Sequence, residues 1–269
     1  MDPTRPPRGP NLACSTAAFF SRPLADAFAT IAGAGFRDVE VMVTRDPATQ
    51  DARRIRELAE RHDVLVRAIH APFLLMTRKV WSTDPVAKIY RAIELAEETH
   101  VPLVVVHPPY RWQTAYRRWI DERLPELSSH TGVRVAVENM FPLRVRERGV
   151  RFHAHNELED LERFEHVVLD TSHAAVTGMD LVGAVRRLGR RLAHVHLSNN
   201  AGKGWDSHLP VDRGVLDLDA FLRSLVEERF DGTISLELDL RPYLSDADGL
   251  TGVLRDGRSF CAERLPLPA

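Results

Sequence analysis

Residues 167–200 read VVLDTSHAAVTGMDLVGAVRRLGRRLAHVHLSNN. A short apolar run, Val167–Asp170, is followed by a helical pattern over Leu181–Leu188 and a second strand-like run, Ala193–Leu197. A strand, a helix and another strand at this spacing imply a parallel βαβ unit. Both strand-like runs also finish on a metal-competent side chain, Asp170 in the first and His196 in the second.

The same rhythm extends in both directions. Further strand-like runs are Leu12–Ser15, Val39–Val43, Val64–His70, Leu103–His107, Val133–Glu138 and Thr233–Leu238. Helical patterns separate them at Leu24–Ala34, Asp51–Arg61, Pro85–Thr99, Thr114–Leu127, Asn156–Arg163 and Leu218–Glu228, with a weaker one near Asp246–Arg264. Asp51, and Asp84 followed by Pro85, read as helix starts. Eight strands alternating with helices across 269 residues predict an α/β chain folded as a single (β/α)8 barrel, with an open doubly wound sheet as the rival. The expected division is a flexible lead at 1–11 and one barrel over 12–269.

Composition narrows the function. The 36 basic and 38 acidic residues leave a net charge of −2, which provides no broad track for nucleic acid or a membrane surface. No apolar run reaches the roughly 18 residues needed to span a bilayer, and the opening MDPTRPPRGP has no signal core. Two cysteines exclude a disulfide scaffold. A cytoplasmic protein is expected. Twelve histidines direct any metal toward imidazole and carboxylate ligands.

In a barrel the C-terminal strand ends converge on one face, where active sites lie. Six successive strands deliver His70 (IHAPF), His107 (VVVHPP), Glu138 (VAVENM), Asp170, His196 and Glu237 (ISLELD) there. His173, three residues after Asp170, and the Asp206/His208 pair in GWDSHLP extend the set from loops on the same face. Such donors suit Zn²⁺, Mn²⁺ or Fe²⁺. His194 points inward one layer below His196, as a partner that orients a ligand. His62, His100, His130 and His166 read as structural, while His153 and His155 read as substrate contacts or, more simply, solvated surface. Arg144, Arg146, Arg148 and Arg151 follow Glu138 and could fork a phosphate; Lys203 and Arg241 are weaker candidates for substrate binding. There is no P-loop, dinucleotide fingerprint or nucleophile elbow.

The motifs LDTSHAAVTGMD (169–180), HVHLSNN (194–200), WDSHLPVDRGVLDLDAF (205–221) and GFRDVEVM (35–42) resemble those of the xylose isomerase-like TIM barrel superfamily. That group includes sugar phosphate isomerases and epimerases as well as endonuclease IV, and the likeness spans residues 12–240. The resemblance implies a divalent ion held by Glu138, Asp170, His196 and Glu237, with the two glutamates as acid and base. It also implies His173 as a substrate contact. Proton transfer would run through a metal-stabilised enediolate of a small sugar, polyol or sugar phosphate.

Likeness to endonuclease IV instead implies three zinc ions on His70, His107, Glu138, Asp170, His173, His196, Asp206, His208 and Glu237, and phosphodiester hydrolysis. Departures from that family weigh against it. Its histidine- and glycine-rich opening is replaced by LACSTAAFF, Ser198-Asn199-Asn200 stands for an Asn-Asp-Ser run, and Asp212 stands near one of two expected glycines while Gly214 keeps the other. The expectation is therefore an isomerase or epimerase with one to three Zn²⁺ or Mn²⁺ ions and a small-molecule substrate. Nucleic acid is disfavoured as a partner, oligomeric state is open, and a non-catalytic metal-binding barrel is the third reading.

Overall fold

A run such as Leu103–Val106 has no polar face to offer water, so it settles as a strand covered on both sides. All four of its residues are buried in the computed structural model, which describes residues 9–73, 77–145, 148–150, 152–155 and 157–267. The strands are β1 (Asn11–Ser15), β2 (Asp38–Met42), β3 (Leu65–His70), β4 (Leu103–Val106), β5 (Arg134–Glu138), β6 (Leu143–Val145), β7 (Arg148–Val150), β8 (Val167–Asp170), β9 (Leu192–Leu197) and β10 (Thr233–Leu236). All but β6 and β7 pair in parallel, and β1 pairs with both β2 and β10, closing the barrel. The open-sheet rival is thereby excluded. Residues 1–8 of the expected lead lie outside the described residues.

The helices between strands are α1 (Leu24–Gly33), α2 (Ala52–His62), α3 (Pro85–Glu98), α4 (Thr114–Glu122), α5 (Leu124–His130), α6 (Leu158–Leu161), α7 (Thr171–Thr177), α8 (Leu181–Leu188), α9 (Leu218–Glu227) and α10 (Ala247–Ala262). Asp51 caps α2 through its side chain, and Asp84 caps α3 just ahead of Pro85.

Besides α7, which the sequence pattern does not announce, three places differ from the sequence reading. The helix expected over Thr114–Leu127 is two helices, because Pro125 near the start of α5 has no N–H for the ladder and its ring crowds the preceding turn. The helix expected over Asn156–Arg163 contracts to the single turn of α6. The arginine-rich stretch after β5 forms the antiparallel hairpin β6–β7, where only a loop was expected.

Period-two alternation sets the floor of the site. Two residues below the strand-end donors, Ala68, Val105, Ala136 and Val168 join Leu103 and Ala193 in a small apolar cluster separate from the main core. The polar layer therefore rests on apolar side chains beneath His70, His107, Glu138 and Asp170, and on buried His194 and Ser235 beneath His196 and Glu237.

Candidate metal centre

Each arm of the site is fixed by its strand and by one bond that leaves a second atom free to point inward. His70 ends β3 with Nδ1 2.9 Å from the Ala71 carbonyl, so its Nε2 faces Glu138 Oε2 at 3.5 Å. His107, one residue past β4, brings Nε2 to 3.1 Å from the same oxygen. Asp170 spends Oδ1 capping α7, accepting from the His173 backbone N–H at 2.7 Å. That cap explains a helix the sequence reading left as loop. The other oxygen, Oδ2, lies 3.8 Å from His196 Nδ1. Glu138 Oε1 and Glu237 Oε2 each stand 3.1 Å from that same Nδ1.

A third group sits beside these. His173 Nε2 is 3.5 Å from Asp206 Oδ2, and His208 Nε2 is 2.8 Å from it. His208 adopts φ +40°, an uncommon left-handed backbone for a side chain of this size. All nine residues singled out as donors thus gather at the C-terminal mouth. Among the described residues four groupings are close enough to share an ion: His70–His107–Glu138, Glu138–Asp170–His196 and Asp170–His173–His208 within the nine, and Glu40–His194–His196 below them.

The donor chemistry fits a divalent cation. Glu138 Oε2, Asp170 Oδ2 and Glu237 Oε2 are buried and face imidazole nitrogens without a hydrogen bond of regular geometry. Buried charged oxygens left in that condition are costly, and coordination relieves the cost. Mixed nitrogen and oxygen donors at these positions suit Zn²⁺ or Mn²⁺ better than an all-oxygen Ca²⁺ cage.

Electrostatics divides the two glutamates. Burial alone would raise Glu138, but charge and hydrogen bonding from His196, His107 and His70 hold it well below the usual carboxylate range. Burial raises Glu237, and the nearby charges of Glu138 and Glu40 add to that against His196 and His208. Burial likewise opposes charge on His196, His173 and His208, yet the carboxylates win and push all three up, His208 to about 10.

Glu40 completes the site from below and was not among the expected residues. It is fully buried on β2, accepts from Ser15 Oγ at 2.7 Å, and places Oε2 3.1 Å from His196 Nε2. His194 Nε2 contacts the same oxygen at 2.6 Å. With Nε2 of His196 engaged by Glu40, the lone pair falls on Nδ1, facing Glu138, Asp170 and Glu237. The available signal was a glutamate between two valines, in the strand DVEVM.

The expected substrate contacts are placed less centrally. Arg144 lies in β6, but its side chain and all of Arg146 fall outside the described residues. Lys203 Nζ sits 5.8 Å over the Trp205 ring. Arg241 pairs with Asp239 at 2.6 Å on the surface. His153 and His155, for which solvent was the simpler expectation, are buried. The cause is packing: Tyr110 lies 4.4 Å from the His153 ring, and Phe164 meets His155 edge-on.

Comparison with known proteins agrees with this architecture. The family model described as xylose isomerase-like TIM barrel matches residues 28–260. An uncharacterized protein of Mycobacterium leprae is 34% identical over 243 residues, covering 83% of this chain and 87% of its own. A D-tagatose 3-epimerase-like protein superposes with a TM-score of 0.69 at 24% identity, covering 94% of this chain and 98% of its own. An AP endonuclease, family 2, from Brucella melitensis does so with a TM-score of 0.70 at 18% identity, covering 94% and 98%. At these identities the two structures share the fold.

Proposed function

The chain belongs to the xylose isomerase-like TIM barrel family, and from that membership and the gathered donors we propose that it is a metal-dependent isomerase or epimerase of a small sugar, polyol or sugar phosphate. One observation carries the reading: Glu138, Asp170 and Glu237 each bring a carboxylate oxygen within 4 Å of His196 Nδ1, and each has a buried oxygen without a hydrogen bond. These four residues would hold the first ion, Zn²⁺ or Mn²⁺. A bound divalent cation supplies polarisation of a carbonyl and stabilises charge developing on oxygen.

The rest is work for the chain. Glu138 and Glu237 both reach His196 Nδ1 at 3.1 Å, so two carboxyl groups address one point. Their environments push them apart, Glu138 toward the ionised form and Glu237 toward the protonated one. That split suits a base that removes the proton beside a carbonyl and an acid that returns one. His173 orients substrate at the rim. A closed barrel floor of buried side chains keeps water from below.

The test is solvent exchange. Metal-loaded protein is incubated in D₂O with a panel of ketoses and ketose phosphates, and deuterium at the carbon next to the carbonyl is read by NMR. Exchange with at least one substrate, abolished by Glu138→Gln and by Glu237→Gln, is expected. Metal-replete protein that exchanges no substrate would end the proton-transfer reading.

A second reading, phosphodiester hydrolysis at a trinuclear site, draws on a specific observation. The His70–His107–Glu138 and Asp170–His173–His208 groupings flank the central one, with Asp206 beside the latter. Elemental analysis separates the two. One ion per chain supports the isomerase, whereas three ions with cleavage of an abasic duplex support the hydrolase. The net charge of −2 favours a small substrate over DNA. Among the described residues no helix is long and apolar enough to cross a membrane.

A further inference from the structure

Beside the donor groups lies a side chamber that meets them at His107. Its volume is about 460 Å³, within the range of pockets that enclose whole organic ligands. Of the nine donors only His107 lines it. A polyol addressed by Glu138 and Glu237 therefore meets this chamber only through substituents that pass His107.

The chamber is walled by flat rings. Tyr110 and Trp112 are parallel, 1° apart with centroids at 4.8 Å. Phe152 stands edge-on to Trp112 at 5.8 Å, and Phe73 stacks on His107 at 5.8 Å. The backbone holds these rings before any ligand arrives. Tyr110 and His153 form an antiparallel bridge, and the Arg111 N–H donates to the Phe152 carbonyl at 2.7 Å. Buried Lys88 ties down the segment carrying Phe73, with Nζ donating to the Pro72 and Thr77 carbonyls at 2.6 and 2.9 Å. Trp112 keeps 61% of its surface exposed, so indole surface remains open to a ligand.

We propose that this chamber is a subsite for an aromatic substituent, so that the substrate is a sugar carrying an aryl or heteroaryl group, with the sugar at the donor groups and the ring against Trp112 and Tyr110. This rests on the isomerase reading and narrows its substrate class. Offset or edge-on contact between rings adds to the gain from burial of area, and a wall already held in place lowers the ordering cost of binding. Arg78 and Lys88 line the chamber and no carboxylate is among its described lining residues. A neutral or anionic ring is accommodated and a cationic one is not.

The experiment measures binding of paired probes to metal-loaded protein: 4-nitrophenyl and methyl glycosides of glucose, galactose and xylose. Dissociation constants come from calorimetry or, for weak members, ligand-observed NMR. In at least one pair the aryl glycoside binds tenfold or more tightly than its methyl partner. That advantage falls below twofold in Trp112→Ala and survives in Trp205→Ala, which removes a different exposed indole. Absence of an aryl preference in every pair, or its persistence in Trp112→Ala, overturns the subsite. Thermal melts confirm that both variants are folded. Exchange of plain ketoses in D₂O without an aryl preference would refute the subsite and leave the isomerase reading standing. An aryl preference without exchange would do the reverse to the reaction.

Discussion

Glu40 is where the structure goes furthest beyond the sequence, and Glu40→Gln is the substitution that probes it. Its Oε1 accepts from Ser15 Oγ at 2.7 Å while Oε2 faces His196 Nε2 at 3.1 Å and His194 Nε2 at 2.6 Å. Glutamine keeps the shape but has one acceptor oxygen. It can serve Ser15 or the histidines, and its amide N–H groups then confront a donor on the other side. The tautomer of His196 that exposes Nδ1 to Glu138, Asp170 and Glu237 loses its anchor. Carboxylates that orient a metal-binding imidazole in this way are worth about 10- to 100-fold in affinity, or about 1.4–2.7 kcal/mol. Metal-free protein is titrated with Zn²⁺ against a chromogenic chelator, and Glu40→Gln is expected to weaken the tightest site by that factor. Ser15→Ala, which removes only the outer hydrogen bond, is expected to have a smaller effect. Circular dichroism melts of the metal-free variants check folding. Folded Glu40→Gln that holds Zn²⁺ within twofold of the parent would refute this account of His196.

Three further outcomes follow from the same geometry. In the ion-free protein His208 is raised to about 10, and His173 and His196 are raised well above the usual imidazole range. All three hold protons at pH 7 and must release them to coordinate; calorimetry in buffers of different ionisation heat is expected to show proton release on Zn²⁺ binding, with affinity rising from pH 6 to pH 8. Because Glu40, Glu138, Asp170 and Glu237 are packed together out of water, removing metal with a chelator is expected to lower Tm, and re-adding it at about 100 times its Kd to restore about 2.7 kcal/mol, measured by calorimetric scanning. Gly214 has φ +150°, and a Cβ there would fall on Asn199 Oδ1 and within 2.6 Å of the Asn200 carbonyl oxygen. Gly214→Ala is expected to cost about 1–3 kcal/mol in a melt and to weaken binding at the His173–Asp206–His208 corner, because Asn199 ties that loop together.

Why the mouth of the barrel was legible and its surroundings were not comes down to where the information resides. A strand end such as Leu103–Val106 followed by His107 states its own burial and direction, and closure of the barrel then does the convergence. Asp170 and His196 could be placed together without knowing any contact between them. The hairpin β6–β7 had no such internal marker. Its pairing of Leu143 with Val150 has no alternation of apolar residues running through both strands to announce it, and an arginine-rich stretch reads as solvated loop. The division of α4 from α5 could have been read from Pro125, since proline inside a helical pattern is itself a stop signal.

Glu40 and the ring-walled chamber illustrate a harder limit. A glutamate between two valines is recognisable from DVEVM alone, but its purpose depends on partners 154 and 156 residues away, His194 and His196, that only barrel closure brings to it. Burying that carboxylate without them would be strongly unfavourable, so the histidines of β9 and the glutamate of β2 act as one unit, and loss of either leaves the other as an uncompensated polar group in the core. The chamber obeys the opposite logic. Tyr110, Trp112, Phe152 and Phe73 come from two loops and a strand end with no periodicity to link them, and Trp112 pays no penalty in the sequence for being exposed. Loops of this kind set which molecule reaches a barrel mouth, whereas strand ends set what can be done to it. The donor set is therefore compatible with several chemistries, and in the proposed subsite it is the aromatic walls beside His107 that would discriminate among substrates.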